Sequence, residues 1–173
     1  MILLSEALEN ANREIRSLSK GDSSLVGMGT TCDVCVIFKN TAYIAHIGDS
    51  RVYKIPKKGG SIHRLTKDHS LVEYMLETGA ITPEEAVHHP QKNVILRALG
   101  TSDNIESDIS HEKISSGDVL LLCSDGLTNM LEESIIAQTV GDEISPEKIC
   151  KKLVQLANEA GGSDNITVVV AKL

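Results

Sequence analysis

Aromatic residues are nearly absent from this 173-residue chain, which has one Phe, three Tyr and no Trp. Its core must therefore be built from Leu, Ile, Val and Ala, and it has no aromatic platform on which nucleic-acid bases could stack. Basic charge is also scarce, with 17 Lys and Arg against 24 Asp and Glu and a formal net charge of −7. That balance argues against a phosphate-backbone binder, so nucleic acid is not an expected partner. It suits a protein that gathers divalent cations. No run approaches the roughly 18 consecutive apolar residues of a membrane span. The opening Met-Ile-Leu-Leu is too short for a signal-peptide core, and Glu6 and Glu9 follow at once. The expectations are no membrane partner and a cytoplasmic location.

Several chemistries are excluded by missing motifs. A cysteine phosphatase needs Cys-x5-Arg, but Phe38, Thr41, Asn129 and Leu156 stand six residues after Cys32, Cys35, Cys123 and Cys150. Cys32-x-x-Cys35 has no second pair, and on a strand residues three apart point to opposite faces, so structural thiols are expected rather than a zinc or redox site. The six His show no His-Glu-x-x-His spacing. Gly27-Met28-Gly29-Thr30-Thr31 is followed by no Gly-Lys-Ser/Thr, which removes the phosphate-loop reading.

Leu4, Ala7, Leu8, Ala11, Ile15 and Leu18 form a 3.6-period stripe, predicting an amphipathic helix over residues 4–18 that ends before Gly21-Asp22-Ser23-Ser24. Strands are predicted over 33–38 and 41–47, joined at Lys39-Asn40, and over 52–55, followed by a Lys- and Gly-rich turn at 56–60. Helices are expected at 70–78 and 83–87. Residues 119–123 are wholly apolar and read as a strand buried on both faces. Helices at 132–139 and 146–160 follow, the latter with Ser145 as N-cap, Pro146 at its first position and Gly161-Gly162 as stop. A strand at 166–171 closes the chain. Strands and helices alternate without a βαβ rhythm, which favours antiparallel sheet and an α+β class.

Three carboxylates share one setting, beside Gly or Ser at a strand end or directly ahead of a strand: Gly48-Asp49-Ser50, Ser124-Asp125-Gly126 and Ser163-Asp164-Asn165. A small neighbour lets such a carboxylate enter a cleft without crowding, and hard cations prefer carboxylate and water oxygens. Each alone is also an ordinary turn sequence. Their recurrence, once at the end of the most apolar strand, favours the metal reading.

Taken in order, Gly-Met-Gly-Thr-Thr (27–31), Ile-Gly-Asp-Ser-Arg-Val-Tyr (47–53), Leu-Thr-Lys-Asp-His-Ser (65–70), His89-Pro90 with Asn93, Arg-Ala-Leu-Gly (97–100), Gly117-Asp118, Cys-Ser-Asp-Gly-Leu (123–127) and Gly-Ser-Asp-Asn-Ile-Thr (162–167) resemble the bacterial branch of the type 2C, metal-dependent serine/threonine protein phosphatases across nearly the whole chain. The resemblance implies an α-β-β-α sandwich of two antiparallel sheets flanked by helices. Residues 1–173 would form one catalytic domain with a flap at about 68–97. It implies Mn²⁺ or Mg²⁺ as cofactor, Asp125 and Asp164 as ligands of the second metal, and Asp49 with Asp125 at a weaker third site. The implied reaction is hydrolysis of phosphoserine and phosphothreonine by a water activated between two cations. Phosphorylated proteins, the substrates of a serine/threonine kinase, would be the partners. Arg51, Thr30 and Thr31 read as loop and sheet residues rather than substrate contacts.

The family's N-terminal strands, with their phosphate-holding Arg and their Asp-Gly-Met-Gly-Gly metal motif, have no counterpart here. The chain opens in the helix that follows them, at Ala7, Ala11, Asn12 and Ile15. The domain is thus expected to be N-terminally incomplete, weak or inactive as a phosphatase, and prone to self-association through exposed sheet edges. The alternatives are a non-catalytic pseudophosphatase or fragment acting as a binding or regulatory module, and a sporulation- or stress-type regulatory phosphatase.

Overall fold

The computed structural model describes residues 1–57, 61–142 and 145–173, in two antiparallel sheets with packed helices, the α+β class expected from the sequence. The chain divides into two compact units. One comprises Met1–Val36, Tyr43–Asp49 and Lys67–His111, and the other Ile37–Ala42, Ser50–Thr66 and Glu112–Leu173.

In the first unit, helix α1 (Ile2–Gly21) realises the apolar stripe. Leu8 is buried with Ala45, Ile47 and Leu99, and Leu4, Ala11 and Ile15 pack around them. The helix ends where Asp22 turns extended, and the Asp22 side chain accepts from the Ser24 N–H to start a 3₁₀ turn over Ser23–Leu25. Strands β1 (Cys32–Phe38), β2 (Thr41–Ile47) and β5 (Asp108–Lys113) form a sheet in the order β1-β2-β5. Central β2 is almost wholly buried, whereas edge strand β1 leaves Val36, Ile37 and Phe38 exposed. Helices α2 (Leu71–Glu77) and α3 (Pro83–Val87) lie where the sequence places them. Ser70 caps the first, and a Thr82–Glu85 capping box starts the second.

Asn12, on the buried face of α1, is 1% exposed. Its Oδ1 accepts from the Gly100 N–H at 2.7 Å, and its Nδ2 donates to the Ser102 carbonyl at 3.0 Å. One amide thus satisfies two backbone groups of the 100–102 loop. Leu99 pairs with Thr30 on the other side of that loop, at 3.0 and 2.9 Å, which gives Thr30 the structural role expected of it.

In the second unit, β3 (Arg51–Ile55), β4 (His63–Arg64), β6 (Val119–Cys123) and β7 (Val168–Lys172) form an antiparallel sheet in the order β4-β3-β6-β7. Leu121 lies opposite Tyr53 on one side and Val170 on the other. This central position explains why Val-Leu-Leu-Leu-Cys carries no polar alternation. Tyr53 is fully buried, burial pushes its phenol well up, and its hydroxyl accepts from Arg51 Nη1. Helices α4 (Asp125–Thr128), α5 (Glu133–Asp142) and α6 (Pro146–Glu159) supply the rest of this core, including Leu127, Ile136 and Leu153. Ser145 occupies the N-cap of α6 without capping it, because its hydroxyl turns to the Glu147 carboxylate. Asp118 closes a turn by accepting from the Ser115 N–H at 2.9 Å and the Lys57 N–H at 3.3 Å.

Strand β5 (Asp108–Lys113), β4 and the single-turn α4 have no expectation in the sequence reading. Asp-Ile-Ser-His-Glu-Lys holds one apolar residue, too few to show a period of two. The turn expected at 56–60 lies partly outside the described residues.

Asn12→Ala leaves the Gly100 N–H buried without its acceptor and should cost about 1–3 kcal/mol of folding stability. Urea denaturation checks the loss, and amide exchange should localise it to residues 98–103.

Candidate metal centre

Asp125 and Asp164 come together in the second unit through Ser124. Leaving β6, the Ser124 N–H donates to the Thr167 carbonyl at 3.1 Å, and its hydroxyl donates to the Asn165 carbonyl at 3.0 Å. The same hydroxyl accepts from the Thr167 N–H at 3.0 Å. Three hydrogen bonds thus staple the start of α4 to the loop that enters β7. The backbones then touch at the next glycine. A Cβ on Gly126 would lie 2.4 Å from the Asn165 carbonyl oxygen, a contact no side chain could make.

The carboxylates are oriented as well as placed. Asp125 opens α4 and is half-buried, and its Oδ2 accepts from Asn129 Nδ2 at 3.1 Å, one helical turn on. Asp164 is exposed, and its Oδ1 accepts from the Asn165 N–H at 2.7 Å. Two carboxylates on backbone stapled by hydrogen bonds are hard oxygen donors suited to Mg²⁺ or Mn²⁺, which keep much of their water and use one or two protein carboxylates. The residues therefore fit one such cation. Among the described residues no group of three or more His, Cys, Asp or Glu could hold a metal.

Asp49 belongs to the first unit, in the turn after β2. Gly48 before it has φ of +119°, and a Cβ there would meet Thr31 Cγ2 at 2.3 Å, so the turn admits only glycine. Just before the turn, His46 is 1% exposed, with Nδ1 at 2.6 Å from Asp33 Oδ1 and Nε2 at 2.8 Å from the Lys67 carbonyl. A carbonyl can only accept, so Nε2 carries a proton. One further proton lies between Nδ1 and Asp33. Burial opposes charge on the imidazole, but the Asp33 carboxylate outweighs it and raises the His46 pKa. Burial raises Asp33 too, so the pair keeps its proton to higher pH than a free imidazole. The other Asp33 oxygen is buried without a hydrogen-bond partner. Neither residue carries a functional signal in the sequence, because nothing there pairs positions 33 and 46.

The model of the family described as protein phosphatase 2C matches residues 2–146. The chain belongs to the protein phosphatase 2C family. Protein phosphatase PhpP of Streptococcus pneumoniae serotype 2 is 47% identical over 166 residues, covering 96% of this chain and 66% of the relative. The chain thus spans just under two thirds of that relative's length. The crystal structure of the serine/threonine phosphatase Stp1 from Staphylococcus aureus superposes with a TM-score of 0.90 at 35% identity, over 96% of this chain and 65% of that one. The catalytic domain of the serine/threonine protein phosphatase PstP, in complex with two manganese ions, matches with a TM-score of 0.83 at 34% identity, over 93% and 66%. These matches confirm the family resemblance and the fold. No helix among the described residues is long and apolar enough to cross a membrane.

The Asp33–His46 pair makes stability pH-dependent. Because its folded pKa is raised, its contribution is complete below the unfolded imidazole value of about 6.5 and is lost as pH rises through the folded value. The urea midpoint should therefore fall as pH rises above about 6.5. Asp33→Asn, which removes the charge that raises His46, should flatten that decline.

Proposed function

We propose that this chain serves the metal-dependent hydrolysis of phosphoserine and phosphothreonine in proteins phosphorylated by a serine/threonine kinase. Membership of the phosphatase family supports the reaction class. The observation that carries the reading in this chain is the Ser124 staple, which joins the two loops that bear Asp125 and Asp164. Asp125 and Asp164 hold the cation, Asn129 fixes the carboxylate plane of Asp125, and the Ser124 hydrogen bonds hold the two loops together while Gly126 leaves room for their close approach. Asp49, in the first unit, is a separate candidate ligand. When bound, Mn²⁺ or Mg²⁺ supplies a water acidic enough to attack phosphorus at neutral pH and neutralises the phosphoryl oxygens.

A second reading is a module that binds phosphoproteins without turnover. Its support is the lack, among the described residues, of any grouping of three or more potential metal ligands. A two-carboxylate site implies weak cation binding.

Calorimetry with Mn²⁺ separates the assignments. Asp125→Asn and Asp164→Asn should each weaken binding at least about tenfold, as loss of a ligand must cost no less than loss of its support. Equal affinity in Asp125→Asn and wild type would remove the site. Turnover of p-nitrophenyl phosphate by the 173-residue chain should lie near background, because the Asp-Gly-Met-Gly-Gly carboxylate and its companion Arg do not occur in it, and each lost charge-stabilising group costs about 10²–10³ in rate. Turnover abolished by Asp125→Asn but otherwise comparable to that of full-length relatives would show that the centre is complete without them. The exposed apolar residues Val36, Ile37 and Phe38 of edge strand β1 and Val169 on edge strand β7 favour self-association. Sedimentation at tens of micromolar, on the order of the range where exposed edges associate, should show species larger than monomer.

A further inference from the structure

The Gly48–Asp49 turn is held by a residue to which the proposed chemistry assigns nothing. The His69 main-chain N–H donates to the Gly48 carbonyl at 2.7 Å, and the Gly48 N–H donates back to His69 Nδ1 at 3.2 Å. Both polar backbone atoms of the residue before Asp49 are thus clasped by one histidine, main chain and side chain together. An Nδ1 that accepts carries no proton, so His69 is the neutral Nε2–H tautomer. Its Nε2 faces Asp108 Oδ2 at 3.4 Å and Arg97 Nη1 at 3.5 Å, and since Arg97 has no lone pair to offer, the proton points to Asp108.

The clasp is supported from behind. The imidazole of His46 lies 4.7 Å from that of His69, centroid to centroid, and its Nε2 anchors the Lys67 carbonyl two residues before His69. Asp33 in turn fixes the opposite ring nitrogen of His46. On the far side, the Leu96 N–H donates to the His69 carbonyl at 2.7 Å. Further charged groups beside the cluster are Asp68, whose charge is felt at Asp33, and Glu106, paired with Arg97 at 3.4 Å. His69 therefore has little freedom left, and neither has the peptide it holds.

We propose that His69 is a positioning residue for the Asp49 carboxylate, kept in register by the buried Asp33–His46 pair. This inference rests on the reading of Asp49 as a cation ligand. A glycine at φ +119° is the most easily reoriented residue in the turn, and the carboxylate of the next residue moves with it. Clasping both sides of that glycine preorganises the ligand before any cation arrives.

Backbone amide exchange, followed by NMR on the full chain without metal, tests the clasp independently of catalysis. His69→Ala should speed exchange at Gly48 by at least about tenfold while leaving the β6 amides of Leu120 and Leu121 unchanged. His69→Asn, whose side-chain oxygen can take the place of Nδ1, should restore much of the protection. Unchanged exchange at Gly48 in a folded His69→Ala protein would overturn the positioning role. If His69→Ala fails to fold, the ring ¹⁵N shifts of the wild-type protein decide. His69 should show an unprotonated Nδ1, and an Nδ1-protonated ring would overturn the proposal. Adding Mn²⁺ separates this inference from the functional reading. Paramagnetic broadening at Asp49 in wild type that weakens in His69→Ala supports both, whereas no broadening at Asp49 in wild type removes Asp49 as a ligand and, with it, the role proposed for His69, while leaving Asp125 and Asp164 to the calorimetric test.

Discussion

Ser124 commits both its N–H and its hydroxyl to the chain entering β7, and the candidate centre depends on that commitment. β6 and β7 are already neighbours, with Cys123 opposite Val168, but a strand pair alone leaves the residues beyond its end free to diverge. The hydroxyl of Ser124 extends the pairing by both donating to Asn165 and accepting from Thr167. Gly126 then permits a backbone approach that any side chain would block. The backbones that carry Asp125 and Asp164 are therefore held close by main-chain geometry. This matters because two carboxylates without a metal repel each other, and an unsupported loop would relax by moving them apart.

The Asp49 turn solves the same problem differently. Its glycine has positive φ and is held by a histidine, rather than lying against another backbone. In both turns glycine adjoins the carboxylate because the backbone there must do something a Cβ forbids. At Gly126 the constraint is space, and at Gly48 it is conformation as well as contact with Thr31.

The glycines are why the candidate site stood out in the sequence. Gly48-Asp49 and Asp125-Gly126 stand out as strand-end carboxylates beside the smallest residue, and the wholly apolar 119–123 run marks its strand as central. The helix expected at 4–18 was readable from its apolar period and runs over Ile2–Gly21, and those expected at 70–78 and 83–87 form at Leu71–Glu77 and Pro83–Val87. What stayed hidden was whatever needs two distant positions at once. Asn12 reads as a polar break in an amphipathic stripe, yet its partners are 88 and 90 residues away. Asp33 and His46 look like polar residues interrupting two strands, and only the β1–β2 pairing turns them into one buried pair. Strand β5 was missed because its stability comes from β2, not from its own single Ile.

His46 and His69 show how far such long-range partners can divide identical side chains. Their rings are neighbours, and both are buried, so desolvation acts on both against charge. His46 faces a carboxylate and a carbonyl, two acceptors, and is driven to keep its protons. His69 faces the Gly48 N–H, a donor, and has the charge on His46 beside it, so its pKa is lowered by burial and by that neighbour. Each state supports the other, since a neutral His69 removes the repulsion that a charged His46 would otherwise meet. The Gly48 clasp needs the neutral ring, because a protonated Nδ1 would set donor against donor. The distribution of protons in this buried cluster is therefore part of what holds the Asp49 turn, and it is set by hydrogen-bond partners contributed by β1, β2 and the segment after Lys67 rather than by either histidine alone.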